Sequence, residues 1–318
     1  MSPERRRIAV LGATGHVGKC LTAALLEGGK HEVTAVARNE ERLADFLDAL
    51  PHGEAASRSS FDDFPKERFD AVVNCVGVGA PADRATLGAS VVMLTEQIDA
   101  IVAAYLKEHP EALHIGISSG AAYCSDFTLP ASAATPCESD CREVIPGDEY
   151  GAAKRDSEAR HREAAADWIV DLRLFGLFSR FADLDARYLM SDVCRAILQG
   201  DVLKVSADEV VRDYVDPGDF AALLEHVIEA DRRNDVFDVY SAAPTGKFEM
   251  LETFSDRYGL RFEVSPEVVI PGATGIKPNY YSVNHKAGLL GYEPRRTSLQ
   301  ALISEADALL AAAGHLLP

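Results

Sequence analysis

Short apolar runs recur along the first half of the chain and predict the strands of a buried parallel sheet. They are residues 8–11, 33–37, 71–77, 113–117 and 168–175, with a shorter strand expected at 55–57. Helix-forming stretches follow these runs at residues 19–27, 40–50, 83–109 and 150–166. Strands that alternate with helices in this way predict a doubly wound α/β fold, in which ligands bind at the carboxyl ends of the strands.

The second half of the chain has shorter predicted elements. Helices are expected at residues 185–199, 219–230, 248–258 and 298–313, and strands at 202–205, 211–215 and 236–240. Residues 124–147 contain Pro130, Pro136 and Pro146 among small polar residues. This segment is predicted to be a loop, and it is long enough to cover a substrate.

Composition and charge exclude several kinds of partner. Of the 318 residues 47% are hydrophobic, which is enough for a large core in one large domain or two. Asp plus Glu number 50 and Lys plus Arg number 32, so the formal net charge is −18. A body this acidic repels nucleic acid and anionic membranes, and neither is expected as a partner. An anionic substrate would need a local group of Arg or Lys side chains.

The cysteines predict reduced, largely buried thiols in a cytoplasmic protein. There are six, scattered and mostly flanked by apolar residues: Cys20, Cys75, Cys124, Cys137, Cys141 and Cys194. Cys137 and Cys141 are four residues apart, but no nearby His or Cys completes a ligand set, so no metal is expected. No apolar run approaches the ~18 residues of a membrane span.

A glycine-rich loop joins the first predicted strand to the first predicted helix. It reads Gly12-Ala13-Thr14-Gly15-His16-Val17-Gly18. Gly12 permits a tight turn, Gly15 lets the backbone approach a pyrophosphate, and Gly18 lets the helix pack against the strand. The phosphates are expected at the helix N-terminus, where N–H groups and the helix dipole favour anions. The context predicts a dinucleotide site, with an ordinary glycine-rich turn as the alternative.

The end of the second predicted strand bears on the choice of coenzyme. An NAD site usually has an acidic residue there that holds the ribose 2′-hydroxyl, whereas an Arg accommodates a 2′-phosphate. Here Ala37 is followed by Arg38. NADP is therefore favoured, with NAD as the alternative. In the other interpretation Arg38 is simply solvated beside Glu40 and Glu41.

Tyr150 and Lys154 form the strongest candidate for proton transfer. A spacing of four residues puts both side chains on one face of the predicted helix. A free phenol has a pKa near ~10, and a cation held nearby lowers that pKa by favouring the phenolate. By itself the pair is a weak signal, because Tyr and Lys four residues apart also occur as solvated surface pairs.

The glycine loop, Ser119 and the Tyr150–Lys154 pair occur in the order found in short-chain dehydrogenase/reductases. The chain resembles their extended branch, the NAD-dependent epimerase/dehydratase family, which acts mainly on nucleotide sugars. Further matching segments are Ser-Ser-Gly-Ala-Ala-Tyr at 118–123, Leu-Arg-Leu-Phe-Gly at 172–176, Arg-Asp-Tyr-Val-Asp-Pro-Gly-Asp at 212–219 and Leu-Gly-Tyr-Glu-Pro at 290–294. The resemblance covers nearly the full length of the chain. The combination of these motifs is far more specific to the family than any one of them.

The resemblance implies a Rossmann-type doubly wound sheet with a smaller α/β substrate domain. Residues 1–178, with a returning segment near 210–242, would form the NAD(P)-binding domain, and residues 179–209 with 243–318 the substrate domain. Tyr150 would be the acid/base, Ser119 would bind the substrate oxygen, and Lys154 would bind the nicotinamide ribose and lower the pKa of Tyr150.

The resemblance and the motifs together give a set of site residues. The expected coenzyme-binding residues are Gly12, Thr14, Gly15, His16, Val17, Gly18, Arg38, Cys75, Val76, Gly77, Tyr150, Lys154 and Phe175. The expected substrate-binding residues are Ser119, Gly120, Arg180 and Arg212. Arg212 matches a family position that commonly contacts nucleotide phosphates. The alternative is that Arg212 pairs with Asp213 or Asp216 and only holds the domain together.

Departures from the family pattern narrow the expected reaction. Dehydratases of the family follow the catalytic Thr or Ser with an Asp-Glu pair, but here those positions are Gly120 and Ala121, so a sugar dehydratase is not expected. Gly120 also lacks the Cys found in reductases with a second epimerase activity. Gly176 replaces an Asn that many members point at the sugar, which leaves the sugar open. Ketoreduction, alcohol oxidation and epimerisation by oxidation and re-reduction remain.

Three functions compete at this stage. The leading one is an NADP-preferring reductase or epimerase of a nucleotide-linked sugar. The second is a reductase of a small ketone or aldehyde. The third is a sensor or assembly factor that binds NADP without turnover, and it is disfavoured because both Tyr150 and Lys154 are present. The long helices at 83–109 and 150–166 are candidates for the four-helix seam of a homodimer.

Overall fold

The computed structural model describes residues 5–77, 90–137, 148–164, 168–186, 188–266, 268 and 277–314. Within these ranges the helices are α1 (His16–Gly28), α2 (Glu40–Asp48), α3 (Ser90–Glu108), α4 (Glu149–Glu163), α5 (Leu189–Gln199), α6 (Pro217–Glu229), α7 (Lys247–Tyr258) and α8 (Ser298–Ala312). The strands are β1 (Arg7–Leu11), β2 (Glu32–Val36), β3 (Ser57–Ser59), β4 (Ala71–Asn74), β5 (Leu113–Ser119), β6 (Ile169–Leu174), β7 (Val202–Val205), β8 (Val211–Arg212), β9 (Asn234–Asp238), β10 (Thr245–Gly246), β11 (Arg261–Val264) and β12 (Asn279–Tyr280).

The main sheet has seven strands in the order β3-β2-β1-β4-β5-β6-β9. Each neighbouring pair is parallel, including β1 with β2 and β1 with β4. The chain therefore runs outward in both directions from β1 and β4, and the carboxyl ends of these two strands form the switch point at which such folds bind ligands. The predicted Rossmann-type doubly wound fold is confirmed.

Burial on both faces explains why the strands are nearly continuous apolar runs. Successive side chains of β1 alternate between two cores: Ile8 and Val10 belong to one hydrophobic cluster, and Ala9 and Leu11 to another. All seven residues of β5 are buried. A strand with two buried faces leaves no position at which a polar residue can reach solvent.

The remaining strands form two small sheets beside a third hydrophobic cluster. Their orders are β10-β8-β12 and β11-β7. The cluster is built mainly by α5, α7 and α8, with Val193, Phe254 and Leu302 fully buried. Strands β8 and β12 thus lie outside the main sheet, whereas β9 joins that sheet beside β6.

Two buried aspartates connect the main sheet to the C-terminal part of the chain. Asp213 accepts hydrogen bonds from the Ser241 backbone N–H and the Ser298 hydroxyl. Asp219 on α6 accepts bonds from the backbone N–H groups of Arg295 and Arg296. Because both carboxylates satisfy donors far along the chain, the two parts of the protein are held in one arrangement.

Several predicted elements differ from the observed ones at their ends. The strand expected at 55–57 is Ser57–Ser59, and the helix expected from residue 185 begins at Leu189. The strand expected at 211–215 is only Val211–Arg212, because the next backbone N–H groups bond elsewhere: that of Tyr214 donates to the Ser298 hydroxyl and that of Val215 to the Gly176 carbonyl. Residues 83–89 of the helix expected at 83–109 lie outside the described residues.

The expectation of six reduced thiols is wrong for Cys124, which is disulfide-bonded. The cysteines at 20, 75, 137 and 194 are free. Apolar neighbours in sequence predict burial, but they do not show which thiols meet in space. Among the described helices, none is both long and apolar enough for a membrane span.

Candidate active site

The glycine loop between β1 and α1 is shaped by close backbone contacts. Gly12 has a φ of 76°, and its N–H and that of Ala13 both donate to the Val36 carbonyl of β2. A Cβ atom at Gly18 would lie 2.2 Å from the Gly12 carbonyl oxygen. Gly18 therefore has to be glycine for α1 to start this close to the loop.

The start of α1 fits a dinucleotide pyrophosphate. Gly15 is the N-cap residue, and no side chain caps the helix. The first N–H groups of a helix have no partner within it, so those of His16, Val17 and Gly18 are available to an anion. On the other side of the loop Gly12 packs against Val76, which follows β4 at the switch point.

His16 adds hydrogen bonding, but not charge, to this loop. Its Nε2 atom lies 2.8 Å from Ser179 Oγ, which also accepts a bond from the Cys20 thiol. Burial, and next the nearby Lys19 ammonium, lower the pKa of His16 to about 4. The imidazole is neutral at neutral pH, so the positive potential of the loop comes from backbone N–H groups and the helix dipole.

Three cations lie near the end of β2. Arg38 is exposed and lies two residues after the end of β2. The Lys19 ammonium sits 5.4 Å from the Phe46 ring centroid, and its pKa is lowered by burial and then by the positive charge of Arg42. Within the described residues none of these three cations has a carboxylate within 4.0 Å.

The end of β5 and the first turn of α4 bring Ser119 and Tyr150 to one edge of the sheet. Ser119 is the last residue of β5, and its hydroxyl caps the short turn Gly120–Ala122 by accepting from the Ala121 N–H. Tyr150 is the second residue of α4. A Cβ atom at Gly151 would lie 2.6 Å from the Ala121 carbonyl oxygen. The start of α4 is therefore in close contact with the backbone of the turn Gly120–Ala122.

Lys154 lies one helical turn beyond Tyr150 and is buried. Its Nζ atom is 6.0 Å from the Tyr150 ring centroid and donates a 2.8 Å hydrogen bond to the Ile117 carbonyl of β5. The same Nζ atom would lie 3.8 Å from a Cβ atom at Gly77, so it is also close to the segment that follows β4. The predicted helical face is thus present, and the ammonium reaches the carboxyl ends of β4 and β5.

A buried ion pair fixes α4 against the sheet below these residues. Glu158 receives bonds from Arg173 Nε, at 3.0 Å, and from Arg173 Nη2, at 2.6 Å. The Ser118 hydroxyl also donates to Glu158. The Arg173 guanidinium lies 4.5 Å from the Tyr123 ring centroid, and the Tyr123 hydroxyl donates to Asp238. Glu158 raises the pKa of Arg173 despite its burial, so the guanidinium is charged.

An aromatic wall adjoins Ser119. Phe175 follows β6, and its ring lies 5.3 Å from the Tyr280 ring and 6.3 Å from the Phe127 ring. A Cβ atom at Gly120 would lie 2.4 Å from the Phe175 ring, so this ring occupies the space of any side chain at position 120. The Tyr280 hydroxyl lies 3.3 Å from Ser119 Oγ.

Arg212 reaches the same wall from the neighbouring small sheet. It is the register partner of Tyr280, and its guanidinium lies 5.9 Å from the Tyr280 ring centroid. Nη1 donates to the carbonyls of Val211 (2.8 Å) and Lys277 (2.7 Å). Burial lowers the pKa of Arg212, and no carboxylate of the described residues lies within ion-pair distance of it.

The expected pairing of Arg212 with Asp213 or Asp216 is absent from the described structure. Asp213 accepts from Ser241 and Ser298, as given above, and Asp216 caps α6 through the Gly218 and Asp219 N–H groups. Arg180 differs from Arg212, because its Nη2 donates to Glu305 on α8 at 2.7 Å. The substrate role predicted for Arg180 thus competes with a structural one and stays a prediction.

Tyr280, Glu158, Arg173 and Asp238 were not predicted as site residues. The pair Tyr280-Tyr281 stands in a stretch without an apolar pattern, and Tyr280 reaches Ser119 through the pairing of β12 with β8 and backbone hydrogen bonds to residues 127–131. The described residues contain no group of three His, Cys, Asp or Glu side chains suited to a metal ion.

Comparison with known proteins gives a family and distant relatives. The model of the NAD dependent epimerase/dehydratase family matches residues 8–243. The chain is 28% identical over 313 residues to a dTDP-6-deoxy-L-talose 4-dehydrogenase (NAD(P)(+)) of Kitasatospora kifunensis, with 93% of each chain covered.

Solved structures with low sequence identity share the fold. A UDP-glucose 4-epimerase from Bifidobacterium longum, solved with NAD+ and UDP, is 17% identical with a TM-score of 0.76, covering 97% of this chain and 99% of that one. A dTDP-glucose 4,6-dehydratase from Bacillus anthracis, solved with NAD, is 15% identical with a TM-score of 0.75, covering 97% and 98%.

Gly176 allows the β6 end to approach the segment that follows β8, and replacing it should be costly. A Cβ atom there would lie 2.5 Å from the Asp213 carbonyl oxygen, a backbone atom that cannot move alone. We expect Gly176→Ala to lower the free energy of unfolding by about 1–3 kcal/mol, measured by urea denaturation. Gly28→Ala, with no contact closer than 3.7 Å, is the matched control. Equal stability of the two variants would contradict this account of Gly176.

Proposed function

Since the chain belongs to the NAD dependent epimerase/dehydratase family, we propose that it catalyses NAD(P)-dependent hydride transfer at a carbonyl or hydroxyl carbon of a nucleotide-linked sugar. The observation that carries the proposal is Arg212, a partly buried cation beside the Ser119 cleft with no carboxylate partner in the described structure. In a protein of net charge −18 such a cation is unusual unless it has an anionic ligand.

The chemistry of Arg212 suits a diphosphate. Its bonds to carbonyl groups all come from Nη1, so Nη2 and Nε have no acceptor among the described residues. A guanidinium offers its donors in a planar fork that can bind two phosphate oxygens at once. The diphosphate of a nucleotide sugar would therefore satisfy both the charge and the remaining donors.

Two observations favour a ketoreductase or dehydrogenase over a dehydratase. Position 120 has no carboxylate to eliminate water, and the Phe175 ring fills the space where one would stand. The relative with 28% identity is by its name a 4-dehydrogenase of a dTDP-linked 6-deoxy sugar. A dTDP-linked or UDP-linked keto-sugar is accordingly the first substrate to test.

The triad would supply the proton transfers. In the reduction Ser119 donates a hydrogen bond to the substrate oxygen, and Tyr150 gives that oxygen its phenolic proton. Lys154, one turn away, stabilises the phenolate that remains. A nicotinamide coenzyme, when bound, would supply the hydride in the reduction and would accept it in the oxidation. Gly12, Gly15 and Gly18 would hold the coenzyme pyrophosphate at the start of α1.

The proposed coenzyme is NADP, with NAD as the alternative. Arg38 follows β2 at the position where an NAD site usually has a carboxylate. Lys19 and Arg42 add positive charge near the same edge. A 2′-phosphate would neutralise cations that have no ion-pair partner among the described residues.

Reversal of the charge at position 38 tests the coenzyme. Arg38→Asp should turn the preference from NADP toward NAD, because a carboxylate repels the 2′-phosphate and can accept from the 2′-hydroxyl. Dissociation constants for both coenzymes, measured by fluorescence titration, check this. Arg68→Asp, an exposed change before the amino end of β4, should leave the ratio unchanged. If the ratio of the NADP and NAD dissociation constants is unchanged in Arg38→Asp, the NADP assignment is wrong.

Removal of one oxygen tests the chemistry. Tyr150→Phe should lower kcat by about 10²–10⁴, the usual contribution of a positioned acid/base, while coenzyme affinity stays nearly intact. Lys154→Ala should lower both kcat and the affinity for the coenzyme. Turnover of the nucleotide keto-sugar is the measurement, and Tyr188→Phe, a partly exposed phenol on the N-terminal side of α5, is the control. Wild-type turnover in Tyr150→Phe would rule out the mechanism.

A comparison of substrates with and without a diphosphate tests the proposed contact with Arg212. Arg212→Ala should raise KM for a nucleotide sugar by about tenfold or more, the value of one charge-assisted hydrogen bond, and should barely affect a phosphate-free ketone. Arg257→Ala removes an exposed arginine that is paired with Asp307 and serves as the control. Equal losses on both substrates, or only a lower Tm, would favour a structural role for Arg212.

A further inference from the structure

The Ser119 hydroxyl has two hydrogen-bond partners in the described structure, and together they restrict where its own proton can point. The Ala121 N–H donates to Ser119 Oγ at 3.2 Å. The Tyr280 hydroxyl lies 3.3 Å from the same oxygen, and either of these two hydroxyl groups can be the donor. A serine hydroxyl has one proton to donate and two lone pairs that accept. The direction of the Tyr280 contact therefore decides whether Ser119 can donate to a substrate.

The two possible directions differ in what they leave for the cleft. If Ser119 donates to Tyr280, its single proton is used within the protein and cannot reach a substrate oxygen. If Tyr280 donates, the two lone pairs of Ser119 accept from Tyr280 and from the Ala121 N–H. The Ser119 proton then has no acceptor among the described residues and is available to the cleft. Only the second direction gives the hydrogen bond that the proposed reduction needs.

The chemistry of the two hydroxyl groups favours Tyr280 as the donor. A phenol, with a pKa near ~10, is a stronger acid than an aliphatic alcohol, and its oxygen is the weaker acceptor. Two cations also lie near this ring: Lys277 Nζ is 5.5 Å and the Arg212 guanidinium 5.9 Å from its centroid. A nearby positive charge favours the phenolate, and it therefore makes the phenol a stronger donor.

Backbone pairing holds the Tyr280 hydroxyl at this place. The Asn279 N–H donates to the Phe127 carbonyl at 2.9 Å. The Ala131 N–H donates to the Tyr281 carbonyl, also at 2.9 Å. These two bonds lie on either side of Tyr280, so the backbone at Tyr280 cannot move without breaking them.

A buried aspartate connects the same segment to the main sheet. Asp238, at the end of β9, is 1% exposed and accepts hydrogen bonds from the hydroxyl groups of Ser282 and Tyr123. Tyr123 ends the short turn that Ser119 begins. One carboxylate therefore holds both the turn that carries Ser119 and the segment that carries Tyr280.

The packing of the Tyr280 ring is separate from the contact of its hydroxyl. The ring centroid lies 4.8 Å from that of Phe127 and 5.3 Å from that of Phe175. A phenylalanine ring at position 280 would make the same two contacts. The contact with Ser119 is provided by the hydroxyl alone, so a substitution can remove it and leave the aromatic wall in place.

Resting on the proposed reductase function, we propose that Tyr280 is a positioning residue that directs the proton of Ser119 at the substrate. The Tyr280 phenol donates to Ser119 Oγ, and Ser119 donates its own proton to the substrate carbonyl oxygen. Tyr150 transfers the proton that completes the reduction, so Tyr280 neither gains nor loses one. As negative charge develops on the substrate oxygen, both hydrogen bonds polarise in the same direction and stabilise the transition state.

The rate of the first turnover tests this role. Tyr280→Phe keeps the ring and removes the hydroxyl. With a nucleotide keto-sugar that the wild-type enzyme reduces, the first-turnover rate at saturating substrate should fall by about 3–10-fold, the value of one neutral hydrogen bond. Stopped-flow absorbance of NADPH measures it. The Kd of UDP should stay unchanged, because the diphosphate contact belongs to Arg212. Tyr281→Phe changes the neighbouring tyrosine and should keep the wild-type rate.

A second background shows whether the effect passes through Ser119. Ser119→Ala removes the group that Tyr280 orients, so adding Tyr280→Phe should change the first-turnover rate by less than about twofold. The same loss in both backgrounds would mean that the Tyr280 hydroxyl contacts the substrate directly or serves packing. A wild-type rate in Tyr280→Phe would mean that the hydroxyl is not used. Either result overturns the proposal.

A further readout does not need a substrate. A neutron diffraction structure of the wild-type enzyme with NADP⁺ should place a deuteron on the Tyr280 oxygen, directed at Ser119 Oγ. A Ser119 deuteron directed at Tyr280 would overturn the proposal. If the wild-type enzyme reduces no keto-sugar with NADPH, the proposed function fails, while the deuteron positions still decide the direction of this hydrogen bond.

Discussion

The arrangement of the site depends on the buried ion pair between Glu158 of α4 and Arg173 of β6. Both side chains are only 8% exposed, so each would be very costly to bury without the other. The pair holds α4 against the sheet in one register, and Ser118 donates to the same carboxylate. Because Ser119 follows Ser118, and Lys154 precedes Glu158 by one turn, this ion pair helps to set how the residues of the proposed triad lie relative to one another.

Arg212 differs from Arg173 because no carboxylate of the described residues neutralises its charge, and this difference is the basis of the proposed function. Arg173 and Arg180 each have a carboxylate partner, whereas Arg212 in the described structure bonds only to backbone carbonyls. Its position against the Tyr280 ring connects it to Ser119, because Tyr280 contacts both. If Arg212 binds the phosphate of a phosphate-linked substrate, as we propose, the reacting part of that substrate can lie beside Ser119.

Local chemistry explains which features could be predicted from the sequence. The glycine loop, the Tyr150–Lys154 spacing and the order of strands depend on residues a few positions apart, and the fold they predict is confirmed. The partners of Arg212 and the approach of Tyr280 to Ser119 depend on strand pairing across more than sixty residues. The Cys124 disulfide and the short β8 were missed for the same reason, since both are decided by contacts that no local pattern records.

The central claim is that the cleft beside Ser119 binds a nucleoside diphosphate through Arg212, which has no carboxylate partner among the described residues. Isothermal titration of the coenzyme-saturated protein with UDP, dTDP and the corresponding nucleosides tests it most directly. We expect one site per chain, with a diphosphate bound at least about tenfold more tightly than its nucleoside and more weakly as salt is added. Equal affinity for diphosphate and nucleoside, or no binding of either diphosphate, would contradict the account.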